Sequence, residues 1–147
     1  MYAAVKKHRY ITATLAFALI TLTVLLGVFS VDSSTNKMIV EYVGNLGWVV
    51  NPSPIEITHL TIPTKFDAVF ETYNAVQKES GFDLTPFQGK RVVRYTYELQ
   101  NHVHSDDSNV TLGIIVYESR IIAGEISSTD ITGFMHGITA VENIKTK

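Results

Sequence analysis

Residues Tyr10 to Val31, YITATLAFALITLTVLLGVFSV, form 22 consecutive positions without a charge, and this run limits the chain more than any other feature. As a helix rising about 1.5 Å per residue it would reach about 33 Å, enough for a hydrocarbon core of about 30 Å. The run therefore predicts a single membrane span. Lys6, Lys7 and Arg9 precede it, whereas Asp32 follows and no base appears until Lys37. That asymmetry predicts a cytoplasmic N-terminus, with everything after Val31 outside the cell membrane. A cleaved signal peptide is the competing reading, with Val28 and Ser30 as its cleavage-site residues; its apolar region is usually only about 7–15 residues long. The expected organisation is a cytoplasmic basic flank at 1–9, an anchor at 10–31, a linker at 32–37, an extracytoplasmic domain at 38–138 and a tail at 139–147.

The chain of 147 residues leaves room for one small domain beyond the span. It contains no cysteine, which excludes disulfides, thiolate metal sites and cysteine nucleophiles. Residues 32–147 hold nine Lys and Arg against fourteen Asp and Glu, a net charge of 9 − 14 = −5. Nucleic acid is accordingly not an expected partner, because neutralising phosphates needs a basic surface.

Past the linker, NKMIVEYVGNLGW places Ile39, Val43 and Leu46 at helical spacing and ends on Gly47, a C-terminal cap. The β-branched run Ile55 to Ile62 predicts a strand ending at Pro63, and its switching apolar face predicts a bulge or an edge position near His59. Thr64 to Asp67 has the capping-box pattern, followed by a stripe of Phe66, Val69, Phe70, Tyr73 and Val76 and a stop at Gly81. RVVRYTYEL alternates Val93, Tyr95, Tyr97 and Leu99 inward with Val92, Arg94, Thr96 and Glu98 outward. NVTLGIIVYE and IIAGEISS read as a β-hairpin turning at Glu118-Ser119-Arg120, and Gly124 marks a bulge or close backbone approach.

LGWVV, TIPTKFDAVFETYNAVQKESGFDLTPFQGKRVVRYTYEL, GIIVYESRIIAGEI and GFMHG together resemble the domain of unknown function 4830 family over about Met38 to Gly137. Two positions depart from its pattern: Glu118-Ser119 stands where Asn-Gly is expected, and Ala123-Gly124-Glu125 where a Gly-Gly-Asp-like segment is expected. The resemblance implies a bacterial, extracytoplasmic, single-span protein of the kind found in clostridial and related Gram-positive bacteria. It implies no activity.

Candidate chemistry is sparse. Gly81 to Gly89 reads as a turn-rich connection plugged by Phe82, Leu84 and Phe87, and it lacks the spacing and final hydroxyl of a phosphate cradle. Lys90, Arg91 and Arg94 form a basic cluster beside Tyr95 and Tyr97 that suits an acidic polymer or headgroup, although Arg94 is expected on a solvated face. Ser127 and Ser128 with His136 lack a nucleophile elbow, and His136 reads as a packing histidine. Asp106-Asp107 lies in a polar loop, and the Asn109 glycosylation pattern means little in a bacterial protein. His102 and His104 would share one side of an extended segment, with Asp106 able to add an oxygen; the solvated loop is expected to hold no metal.

The chain is thus expected to be α+β: one N-terminal span, then helix, strand, helix and three strands, with an antiparallel sheet crossed by the Phe66–Ser80 helix. The leading functional reading is a non-enzymatic module binding a protein or cell-envelope partner, with no catalytic, cofactor or metal residues and no cofactor. The alternatives are a small-ligand sensor or inhibitor domain, and a metal-dependent hydrolase using His102, His104, His59 and nearby carboxylates.

Overall fold

The computed structural model describes residues 32–106, 109–128, 130 and 133–145; the predicted span Tyr10–Val31 lies outside them. Among the described residues no helix is long and apolar enough to cross a membrane. The elements run α1 (Ser33–Asn45), β1 (Glu56–Thr61), α2 (Ala68–Glu79), β2 (Arg91–Glu98), β3 (Val110–Tyr117), β4 (Arg120–Ser128) and β5 (Met135–Gly137), with short 3-10 turns at Thr85–Phe87 and Val141–Asn143. The class is α+β. The sheet, however, has five antiparallel strands in chain order β1 to β5, so the expected strand count after α2 rises from three to four.

Both helices stop where glycine allows a left-handed residue. The amide of Trp48 bonds the carbonyl of Val43 around Gly47, and that of Phe82 bonds Gln77 around Gly81. The start of α2 differs from expectation. Asp67 is the cap, its side chain accepting from the amide of Phe70 at 2.8 Å, and Thr64 lies outside the helix.

Every inner strand is covered on one face and along part of the other. On one face Tyr95, Tyr97, Leu112, Ile114 and Ile126 pack against Ile39 and Val43 of α1 and against Trp48. On the other, Val92, Ile115, Ile122 and Ala123 pack against Ile62, Leu84, Phe66 and Phe70. The second cover corrects the outward reading of β2, since Val92 and Thr96 are buried. Leu84 is the plug expected of the 81–89 connection, while Phe82 packs with the other face.

The β1–β2 register runs unbroken from Glu56 to Thr61, so β1 is an edge strand with no bulge at His59. The bulge lies instead between β3 and β4, where Val116 faces Ile121 and Ile115 faces Ala123. Ile122 is the extra residue, and it turns with Ala123 toward α2. Glu118 and Ser119 both have positive φ, 46° and 61°, which makes the two-residue hairpin a type I′ turn without the usual Asn-Gly.

The segment read as a tail is held in place: the amides of Val103 and Lys145 bond Asn143 and Asn101, and Ile144 bridges to His102.

Candidate functional site

The face of the sheet under α2 is only half covered. Cross-strand rows place Glu56, Thr96, Gly113 and Glu125 side by side, and then Glu98, Thr111, Ser127 and Met135. The second row lies beyond the helix and floors an open groove of about 740 Å³, walled by Ile55, Ser105 and Asn109 and headed by Arg94. A neighbouring apolar cleft of about 570 Å³ runs between α2 and β5, lined by Val69, Tyr73, Val76 and Met135. Val69 is 79% exposed, so the outer part of the predicted apolar stripe forms this cleft rather than core.

A buried polar network closes the head of the groove. Glu125 has no exposed surface; one carboxylate oxygen accepts from Arg94 at 2.5 Å and the other from the Tyr73 hydroxyl at 2.9 Å. Burial raises the Glu125 carboxyl above the ordinary range, opposed chiefly by Arg94. Burial also raises the Tyr73 phenol, and the adjacent carboxylate adds to it. Gln77, equally buried, accepts the amide of Gly124 at 2.8 Å. Gly113 gives the carboxylate its room, since a Cβ there would overlap both Glu125 and the Arg94 guanidinium. Arg94 is therefore only partly solvated, and the basic cluster is dispersed: Lys90 and Arg91 are exposed while Arg94 is committed to Glu125. Arg94 Nε is buried without a hydrogen-bond partner.

The histidines lie elsewhere. His59 pairs with Val93, six residues along β2 from Leu99, which at about 3.3 Å per residue puts it some 20 Å from the loop that carries His102. His102 and His104 do not face a common ion position. His102 is buried, its Nε2 lies 3.1 Å from Nε2 of His136, and it stacks on Trp48 and Phe134; His104 is exposed. Asp106 pairs with Lys145. Among the described residues no group of three or more His, Asp or Glu could hold a metal. His136 opposes Ile126 on the α1 face, while Ser127 opposes Met135 on the groove face, so the sheet itself separates this serine from this histidine.

Sequence reasoning missed Glu125. The available signal was a lone charge between Gly124 and Ile126 in an otherwise apolar strand, a position a carboxylate tolerates only with a partner.

Residues 42–126 match the model of a protein family, domain of unknown function (DUF4830). No curated protein and no solved structure matches the chain.

Proposed function

The chain belongs to the domain of unknown function 4830 family, and from that premise we propose a protein that acts by binding: a membrane-anchored extracytoplasmic module whose open groove receives a protein or cell-envelope partner. The supporting observation is the uncovered half of the sheet, a surface of hydroxyls and carboxylates on a rigid five-stranded floor. Its charge selects the partner. Glu56 and Glu98 flank the groove, whereas its one base is already neutralised by Glu125. An extended polar segment carrying positive charge fits this lining better than an anionic polymer, which would meet two carboxylates and no free base. The Tyr10–Val31 segment would hold the domain at the outer membrane surface, with Lys6, Lys7 and Arg9 on the cytoplasmic side.

A small-ligand sensor is the second reading, favoured by the apolar cleft beside Tyr73 and Met135. The two are separated by site-specific photo-cross-linking in the native membrane. A photoreactive residue at Thr111 in the groove should capture a macromolecular partner that the same residue at Lys65 does not, and Ser127→Trp should abolish the adduct. Equal labelling at both positions, or an adduct indifferent to Ser127→Trp, overturns the groove reading.

A further inference from the structure

The structure points to one device that the binding reading does not use: we infer that His102 and His136 form a pH-operated latch that ties the loop after β2 to β5 when neutral and releases it when protonated.

The geometry assigns every proton in the pair. The amide of His104 donates to Nδ1 of His102 at 3.2 Å, so that nitrogen is an acceptor and the ring proton is on Nε2. Nε2–H of His102 then donates to Nε2 of His136 at 3.1 Å. His136, accepting there, carries its proton on Nδ1, which donates to the Gly137 carbonyl at 3.0 Å. Donation runs one way through two neutral rings. A further proton has no place: on His102 it would face the His104 amide, and on His136 it would face the His102 N–H. The rings are packed against Phe134 at 5.0 Å and Trp48 at 6.1 Å, and His102 is 1% exposed, so water cannot take over a broken bond without movement.

Among the described residues the surroundings offer no countercharge. The 46–50 segment has none, and Glu125 on β4 faces the opposite side of the sheet. Asp106, Glu142 and Lys145 are exposed, Asp106 and Lys145 engage each other, and among the described residues no carboxylate bonds either ring. His104, exposed, is the remaining titratable neighbour. Burial, with His136 and His104 adding to it, lowers His102 to about 4. An unfolded or opened His102 would titrate at its ordinary value near 6.5, so the latched state is fully favoured above that value and loses ground as pH falls toward 4.

What the latch holds is defined by chain connectivity. The Ser105 hydroxyl bonds the His102 carbonyl, and Met135 precedes His136 on β5 with its side chain on the other face. Ser105 and Met135 both line the groove, so the histidine bond ties the loop that carries one wall residue to the strand that carries one floor residue. The effect on partner binding rests on the proposed function; the latch itself does not.

The test therefore uses no ligand. In the full chain, solubilised in detergent, nitrogen-15 spectra should show His102 as the Nε2–H and His136 as the Nδ1–H tautomer at neutral pH. Acidification to about pH 5.5 should accelerate amide exchange at Ser105 and Met135 beyond its intrinsic chemistry. His102→Gln keeps a donor for Nε2 of His136 and cannot titrate, so it should reduce that acid opening severalfold. The opposite tautomers, a His102 that titrates normally, exchange at Ser105 and Met135 without added acid dependence, or a His102→Gln variant that opens like wild type would each overturn the latch.

Discussion

At Glu125 a carboxylate with no exposed surface is held between a guanidinium and a phenol, in a niche that exists because residue 113 has no side chain. Removing both charges would relieve desolvation, but removing only Arg94 leaves an acid buried without its counterion. Arg94→Met is accordingly expected to cost about 3–5 kcal/mol near neutral pH, read from denaturant melts. Glu125 already titrates above the ordinary carboxylate range because of burial, and losing Arg94 raises it further. A folded state with the higher pKa binds the proton more readily than the unfolded chain, so the gap between variant and wild type should narrow as pH falls from about 7 to about 5. A gap that is constant or widens would show that Glu125 is not the group left uncompensated. The alternation in RVVRYTYEL correctly singled out Tyr95, Tyr97 and Leu99 as inward-facing, yet it assigned Arg94 to water. Period-two patterning separates the two faces of a strand; it does not reveal that a helix from another part of the chain covers the second one.

The helix that provides this cover, α2, was legible in its existence and its end, because an apolar stripe and a terminal glycine are local signals. Its beginning was not. Thr64 and Asp67 are both good caps three residues apart, and the choice went to Asp67, whose carboxylate reaches the amide of Phe70. Asp67→Ala is therefore expected to cost about 1 kcal/mol, whereas Thr64→Ala should stay within about 0.5 kcal/mol. Equal losses in thermal or denaturant melts would return the cap to Thr64. The stripe is also rotated from its simplest reading: Phe66, Phe70 and Tyr73 are half-buried, Asn74 and Gln77 are fully buried, and Val69 faces outward. The two amide residues are inside because each satisfies a backbone group left over elsewhere. Asn74 accepts the amide of Leu84, and Gln77 that of Gly124. No helical periodicity could report those partners, since they belong to a connection and to a strand formed by other residues.

Taken whole, the domain is a meander of neighbouring strands, each pairing with the next along the chain, and such a topology is readable from the order of elements. The proposed direction of the chain across a membrane is a separate matter, and it rests on Lys6, Lys7, Arg9 and the uncharged run that follows. Protease added outside sealed cells or right-side-out vesicles should digest the 32–147 domain; a domain that stays protected would remove the extracytoplasmic placement and with it the envelope partner. The absence of cysteine chemistry, the acidic balance, both helix stops and four of the five strands are written in composition, period or capping, all of which act over a few residues. The groove, the Arg94–Glu125 pair and the His102–His136 contact are not. Arg94 and Glu125 are 31 residues apart and His102 and His136 are 34 apart, and their meeting depends on strand register, on one bulge in β4 and on where β5 joins the edge. Register is set by the packing of the whole sheet, and a shift of one residue would turn each of these side chains to the opposite face.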